Sequence, residues 1–276
     1  MLKNICFSGG ALKGWAYIGT IRALNELIEF KNIETVVGVS IGSLFGLFYV
    51  LQLDYRDILN FMVNLDYSEL IDLELDTLVS NECLIHGAVY REKIKEIISL
   101  KINPDITFIE LYRDNGKNYT NGALNITTSK MEYFNYLVTP DVKVVDSVVA
   151  SSSIPIAFPS VKIGDSFYYD GFLCNNCPVD ILPELSTIAF DLDIDVDTST
   201  ESKSKILHFF ESLSKLIHNS FKKESHSGLV HKILLPRFSN ETLNVNQTKD
   251  DMFNLYMHGY ISSKNILFDN FKAIKN

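Results

Sequence analysis

The chain is poor in cysteine, in long apolar runs and in positive charge. Its 276 residues include four cysteines, too few and too scattered for a disulfide framework, so a reducing compartment is expected. They are Cys6, Cys83, Cys174 and Cys177. No run of about 18 apolar residues occurs, and the N-terminal apolar run is shorter than a signal-peptide core. We therefore expect a cytoplasmic protein, in which any contact with membranes would be peripheral.

Positive charge is scarce over most of the chain. Residues 1–200 carry 14 Lys and Arg against 27 Asp and Glu, and the net charge of the chain is −9. Sequence-independent binding of nucleic acid requires the opposite balance. Nucleic acid is therefore excluded as a partner.

Apolar side chains are abundant, at 46% of the residues, which is enough for a folded core. Strand-like and helix-like runs alternate: residues 2–7 precede a helical pattern at 15–27, and residues 35–40 precede another from Ile41. The alternation predicts an α/β fold with a mostly parallel central sheet covered on both faces.

Further elements follow these two units. The patterns predict helices at 55–65 (capped by Asp54), 90–100 and 144–152, an edge hairpin at 120–137, and a hairpin turning at Gly164 and Asp165. The sheet is expected to end with 186–195, and 203–223 and 252–267 to be helices. Residues 1–200 are thus predicted to form the main domain, with 201–276 a helical extension packed on it.

The sharpest chemical signal is the pentapeptide Gly38-Val39-Ser40-Ile41-Gly42, between a predicted strand and a helix. In this context G-x-S-x-G is typical of a nucleophile elbow, in which the serine occupies a strained turn and the two glycines allow the backbone to cross closely. The pattern indicates Ser40 as a nucleophile. The alternative is a strand-to-helix turn with a capping serine.

A second glycine-rich turn, residues 9–14, follows the first predicted strand. Gly9 and Gly10 would expose backbone N–H groups of the kind that stabilise an oxyanion, Gly14 would let the next helix approach, and Lys13 would add positive charge. A phosphate-binding loop is the alternative reading. However, the turn has neither G-x-G-x-x-G nor a Ser or Thr after the lysine.

A base for the serine is harder to identify. In the usual Ser, Asp, His order the histidine would be His258, with His86 as another candidate, but neither lies in a loop pattern typical of a catalytic imidazole. Asp170 stands out because it ends an aromatic strand directly before Gly171. The carboxyl end of a strand in an α/β sheet is where ligands bind.

Three motifs in this order resemble the patatin-like phospholipases. GGALKG at 9–14 is similar to the family's oxyanion loop, GVSIG at 38–42 to its nucleophile elbow, and DGF at 170–172 to its D-G-G or D-G-A motif. Family-like Ala-Ser-Ser, Ile-Pro and Asn-x-Pro elements occur at 150–152, 154–155 and 176–178. The similarity covers roughly residues 3–195.

The resemblance implies a three-layer α/β/α sandwich and a Ser–Asp dyad without metal or cofactor. Ser40 would attack an ester carbonyl and Asp170 would take its proton directly. An aspartate base titrates nearer 4 than 6.5 unless burial raises its pKa, and a rise of about one or two units leaves the acid limb of activity below the histidine range or at its lower edge. The implied oxyanion hole is Gly9, Gly10, Ala11 and Leu12, and the supporting residues are Lys13, Gly14, Gly38, Gly42 and Gly171.

The implied substrate is a fatty-acyl ester of a phospholipid or lysophospholipid, cleaved by the domain at 1–200. Neutral-lipid hydrolysis, acyl transfer and an inactive lipid-binding module are the alternatives. Phe172 stands where the family has a small residue, and it would crowd the turn at Asp170. Leu12 makes the glycine loop one residue longer than the family's loop.

Two further features allow either a functional or a purely structural interpretation. The predicted helix 203–223 is amphipathic and basic, which suits an anionic membrane surface, although such a helix also suits packing on the core. Cys174-x-x-Cys177 is compatible with zinc or redox chemistry, but no second pair of ligands accompanies it.

Overall fold

The computed structural model describes residues 2–66, 83, 87–192, 230–233 and 248–275. Within these residues, eight strands and seven α-helices are found. The strands are β1 (Asn4–Phe7), β2 (Thr35–Val39), β3 (Asn118–Asn125), β4 (Lys130–Phe134), β5 (Val161–Ile163), β6 (Ser166–Asp170), β7 (Thr187–Leu192) and β8 (Val230–Ile233). The helices are α1 (Trp15–Leu27), α2 (Ile41–Val50), α3 (Tyr55–Val63), α4 (Gly87–Ile98), α5 (Phe108–Asn115), α6 (Val144–Ser152) and α7 (Lys249–Lys275).

The strands form one mixed sheet in the order β5-β6-β3-β2-β1-β7-β8, with β4 also paired to β3. Strands β3, β2, β1, β7 and β8 run parallel to one another, and β4, β5 and β6 run antiparallel to their partners. The predicted α/β class and mostly parallel sheet are therefore confirmed.

Alternating side chains of the central strands enter two different buried clusters. Ile5 and Phe7 of β1 belong to the main core, which also contains the apolar faces of α1 and α2. Cys6, which points the opposite way, lies in a smaller cluster with Val37 and Val179. Because both faces of β1 and β2 are buried, these strands read as continuous apolar runs.

Most predicted elements are confirmed, including the helix at 144–152 and the Gly164 turn, where φ is +60°. The Asp54 cap is also present, since its carboxylate accepts a hydrogen bond from Arg56 N at 2.8 Å. The 120–137 hairpin forms, but only β4 lies at the edge, because β3 pairs with β2 as well. The predicted helix 203–223 lies outside the described residues.

The prediction that the sheet ends with 186–195 is wrong. Strand β8 pairs in parallel with β7, Val230 opposite Ala189. It was missed because a strand of four residues is too short to show a hydrophobic period, and a parallel partner far along the chain leaves no hairpin signal.

Helix α7 packs closely along α1. A Cβ on Gly19 of α1 would collide with the backbone carbonyl of Tyr256, and one on Gly259 of α7 would collide with the carbonyl of Ala16. The two glycines therefore allow the helix backbones to touch. None of the described helices combines the length and apolar character that a membrane span requires.

Candidate active site

Strand β3 brings the ends of β2 and β6 together. Val39, the last residue of β2, pairs with Gly122 of β3, and Asp170, the last residue of β6, pairs with the next residue, Ala123. Strand β4 pairs with β3 from Asn121 to Asn125 and so occupies the other edge of β3 where the two stretches meet. Strands β2 and β6 therefore meet end to end along one edge of β3, and the residues at their ends become neighbours.

The turn after β2 has the geometry of a nucleophile elbow. Ser40 has φ 56° and ψ −133°, a backbone conformation that residues other than glycine rarely adopt. A Cβ on Gly38 would collide with the carbonyl of Gly42, and one on Gly42 would collide with the carbonyls of Phe7 and Ser8. Both glycines of the motif are thus required by the crossing of the backbone at this turn.

The Ser40 hydroxyl donates a hydrogen bond of 2.6 Å to Oδ2 of Asp170. The other carboxylate oxygen, Oδ1, accepts the backbone N–H of Phe172 at 2.9 Å. Asp170 is fully buried, and burial raises its pKa to about 7, although the hydrogen bonds from Phe172 and Ser40 act in the opposite direction. The carboxyl group consequently titrates near neutral pH, above the range expected from the sequence.

The glycine loop lies against Ser40. A Cβ on Gly9 would lie 3.0 Å from Ser40 Cβ. The N–H of Gly9 donates to the carbonyl of Asn176 at 3.0 Å and is therefore engaged. Within the described part of the chain, the N–H groups of Gly10, Ala11 and Leu12 donate to no protein acceptor. These three groups lie at the start of a 3₁₀ turn, Ala11–Gly14, and the first N–H groups of such a turn have no partner inside it.

The supporting residues predicted from the sequence surround these groups. Ala11 has φ 47°, a second strained backbone position in the same site. Lys13 is buried in the 3₁₀ turn, and Gly14 packs on Ile41 of α2. Gly171 approaches the carbonyl of Gly122 on β3 so closely that a Cβ would collide with it.

Phe172 is accommodated in the turn after Asp170. A 3₁₀ turn, Gly171–Leu173, follows the aspartate, and its second residue is half-buried. The hydrogen bond from Phe172 N–H to Asp170 Oδ1 holds the carboxylate in place. The crowding expected from the larger side chain therefore does not displace Asp170 from Ser40.

Ser151 and Asn176 lie near the site, although the sequence motifs that contain them assigned no role to either residue. Ser151 Oγ accepts the N–H of Ser40 at 2.9 Å. Asn176 contacts Gly9 through its carbonyl, and its side-chain amide donates to the Gly9 carbonyl at 3.4 Å. Their only signal in the sequence is their place in the Ala-Ser-Ser and Asn-x-Pro elements, because the contacts themselves are long-range.

The other predicted candidates lie elsewhere. His258 is exposed on α7, while His86 lies outside the described residues. Cys177 Sγ lies 3.9 Å from the buried Sγ of Cys6 on β1, so the second cysteine of the C-x-x-C motif contacts a cysteine that the motif does not contain. The hydrogen bond between the two thiols, together with burial, raises the pKa of Cys6.

This arrangement suits nucleophilic attack on a carbonyl. It combines a hydroxyl in a strained turn, a carboxyl group that accepts a hydrogen bond from this hydroxyl, and backbone N–H groups with no protein acceptor in the described chain. Among the described residues, no group of three or more His, Cys, Asp or Glu side chains is placed to hold a metal ion.

Comparisons with known proteins agree with this geometry. A model of the patatin-like phospholipase family matches residues 5–183. The chain is 33% identical over 185 residues to the probable lipid hydrolase 463L of Invertebrate iridescent virus 6, covering 65% of this chain and 62% of that protein. It is 26% identical over 188 residues to the uncharacterized protein R571 of Acanthamoeba polyphaga mimivirus, covering 66% of this chain and 62% of that protein. The chain thus matches less than two thirds of the length of these relatives.

Solved structures share the fold at low sequence identity. VipD from Legionella pneumophila superposes with a TM-score of 0.65 over 97% of this chain and 67% of that chain, at 15% identity. The type III effector ExoU superposes with a TM-score of 0.54 over 97% of this chain and 53% of that chain, at 14% identity. At these identities the likeness concerns the fold alone.

Proposed function

This chain belongs to the patatin-like phospholipase family, and on that premise we propose that it is a serine acyl hydrolase. It cleaves fatty-acyl esters of phospholipids or lysophospholipids through an acyl-enzyme on Ser40, with Asp170 as the base. The 2.6 Å hydrogen bond from Ser40 Oγ to Asp170 Oδ2 carries the proposal.

In the first half of the proposed reaction, Ser40 Oγ attacks the ester carbonyl carbon while its proton passes to Asp170 Oδ2. The carbonyl oxygen becomes an oxyanion, which the N–H groups of Gly10 and Ala11 stabilise, with Leu12 as the next donor along the turn. Collapse of this intermediate breaks the ester bond, and the leaving alkoxide takes the proton from Asp170. The acyl group remains on Ser40.

In the second half, a water molecule attacks the acyl carbonyl and gives its proton to Asp170. The second tetrahedral intermediate collapses, Ser40 Oγ recovers the proton, and the fatty acid leaves. One carboxylate thus acts as base and acid in turn, which a pKa of about 7 suits because both protonation states are accessible near neutral pH.

Gly9 has a different role in this scheme from the one that the sequence implied. Its N–H is bound to the Asn176 carbonyl, so Gly9 acts as the anchor of the loop. We assign the donors to the N–H groups that follow it. Lys13 lies buried in the same turn as these donors.

The test is covalent labelling by a fluorophosphonate probe, which reacts with activated serines. Wild-type protein is expected to be labelled and to release fatty acid from phospholipid vesicles, while Ser40→Ala loses both. Removing a serine nucleophile from a protease costs about 10⁶ in turnover. Hydrolysis by Ser40→Ala at the wild-type rate would reject the proposal, and an unlabelled, inactive wild type would favour a lipid-binding module.

A further inference from the structure

We propose that Ser151 is a positioning residue for the nucleophile, and that its hydroxyl holds the backbone of Ser40 in the strained elbow. Ser151 Oγ accepts the Ser40 N–H at 2.9 Å and donates to the Gly122 carbonyl at 2.7 Å. This inference rests on the proposed function, because it concerns the same serine.

The Ser40 N–H needs such a partner. Strand β2 ends at Val39, and Ser40 turns out of the sheet with φ 56°. Ser40 is 5% exposed and Ser151 is fully buried, so water does not replace the bond. A buried N–H without an acceptor destabilises the conformation that buries it. The Ser151 hydroxyl therefore favours the elbow over relaxed conformations of the same turn.

The direction of the two hydrogen bonds is determined by chemistry. A serine hydroxyl has one proton and two lone pairs. A carbonyl only accepts and a backbone N–H only donates, so the Ser151 proton points to Gly122 and a lone pair faces Ser40. Gly122 in turn pairs with Val39, the residue before the elbow. The hydroxyl thus ties the elbow to β3, the strand on which β2 and β6 meet.

The neighbouring serines show that this contact is specific to one position. Ser151, Ser152 and Ser153 are all buried at the end of α6. The hydroxyls of Ser152 and Ser153 bond back to the carbonyls of Val148 and Val149 in their own helix. Only the first of the three hydroxyls reaches the elbow, which makes Ser152 a matched control.

The same end of α6 also contacts the proposed base. The carbonyl of Ser153 accepts the backbone N–H of Asp170 at 2.8 Å. Ser40 and Asp170 are therefore both held at the C-terminal end of α6. Ser40 is held through the Ser151 side chain, and Asp170 through the backbone carbonyl of Ser153, the residue that follows the helix. A change at Ser151 should alter the position of Ser40 while leaving the backbone contact of Asp170 in place.

The experiment compares Ser151→Ala, Ser151→Thr and Ser152→Ala in the full chain. For each we would measure kcat and KM on a short soluble ester, the rate of fluorophosphonate labelling and the melting temperature. Ser151→Ala should lower kcat and the labelling rate about 10²-fold, the scale of a displacement of about 1 Å, with KM within a few-fold of wild type. Ser151→Thr keeps the hydroxyl and should recover most of the loss, and Ser152→Ala should stay near wild type.

Two results would overturn the inference. One is a Ser151→Ala variant with wild-type kcat and labelling rate, and the other is an equal loss in Ser152→Ala, which would indicate a packing effect. The acid limb of the pH profile should move to higher pH in Ser151→Ala, because displacement of the Ser40 hydroxyl weakens a hydrogen bond that lowers the pKa of Asp170. If Ser151→Ala does not fold, Ser151→Cys takes its place, since a thiol fits the site but forms weaker hydrogen bonds. Failure of wild type to label at Ser40 would instead reject the proposed function.

Discussion

The Ser40 hydroxyl donates its proton toward Asp170 although 130 residues of sequence separate the two. Their meeting follows from consecutive pairing positions on β3, where Gly122 pairs with Val39 and Ala123 with Asp170. Because the carboxylate is fully buried, its charge is costly to maintain in the folded protein. This cost places the expected pH dependence of the site at higher pH than the sequence indicated.

The first prediction concerns the pH dependence of wild-type activity. Asp170 must be ionised to accept a proton, and its pKa is raised to about 7 by burial. The value of kcat/KM should therefore fall as the pH drops through about 7, approaching tenfold per pH unit in more acidic solution. Hydrolysis of a soluble ester between pH 5 and 9 measures this limb, and a flat profile down to pH 5 contradicts it.

A loss of activity as the pH falls through about 7 is also typical of a histidine base. The second prediction therefore uses variants to identify which residue is the base. Asp170→Asn keeps the shape, removes the base and should abolish turnover. His258→Gln and His86→Gln should each stay within a few-fold of wild type. A loss of 10³ or more in either histidine variant, with Asp170→Asn still active, would replace the dyad with a Ser-Asp-His triad.

The second prediction also covers stability, because the same aspartate variant should be more stable than wild type above neutral pH. Because the pKa of Asp170 is higher folded than unfolded, its ionisation lowers the free energy of unfolding as the pH rises from about 4 to about 7. Asp170→Asn removes this cost, which amounts to at most roughly 4 kcal/mol. Denaturant unfolding at pH 8 and pH 5 should show the larger gain at pH 8, and a loss of stability at pH 8 would argue against a buried charge.

A third prediction addresses the glycine loop. A Cβ at Gly10 would lie 2.7 Å from Leu192 Cδ1, so Gly10→Val should shift the loop and its N–H donors. Loss of one oxyanion donor costs 10²–10³-fold in turnover. Adding Leu192→Ala should relieve the collision and recover part of the activity, with Leu192→Ala alone as the control. Wild-type turnover in Gly10→Val would give the loop another role.

The fourth prediction concerns the attachment of α7. Gly259→Ala places a Cβ against the Ala16 carbonyl, so the helices must separate. Overpacking of this kind costs about 1–3 kcal/mol, which corresponds to a fall of several degrees in the melting temperature. Asn254→Ala, at an exposed position of the same helix, should change little. Equal melting of wild type and Gly259→Ala would show that the backbones do not touch.

The fifth prediction concerns the predicted basic helix 203–223. If this helix contacts membranes, Lys222→Glu combined with Lys223→Glu should weaken binding to anionic vesicles and leave hydrolysis of a soluble ester unchanged. Each cation near an anionic surface contributes about 1 kcal/mol. Vesicle sedimentation at low salt provides the measurement, and equal binding by both proteins would favour packing of the helix on the core.

Much of this site is encoded by short-range patterns. The elbow was recognisable because its residues fall within five positions, Gly38 to Gly42. Gly38 is required by the backbone of that same segment, whereas Gly42 is required by the carbonyls of Phe7 and Ser8 at the end of β1. The strand, turn and helix around it were likewise predicted from local periodicity and turn residues. Asp170 could be selected because it ends an aromatic strand before a glycine, which is again a local feature.

What the sequence alone determined is therefore the set of candidate site residues and the mostly parallel α/β framework that carries them. Tertiary structure decided how those groups meet and behave. Strand pairing places Asp170 beside Ser40, Asn176 engages the Gly9 N–H, Ser151 reaches across to the elbow, and β8 extends the sheet. Burial then raises the pKa of Asp170. The register of distant strands and the burial of a carboxylate depend on residues far apart in the chain, so no local pattern encodes them.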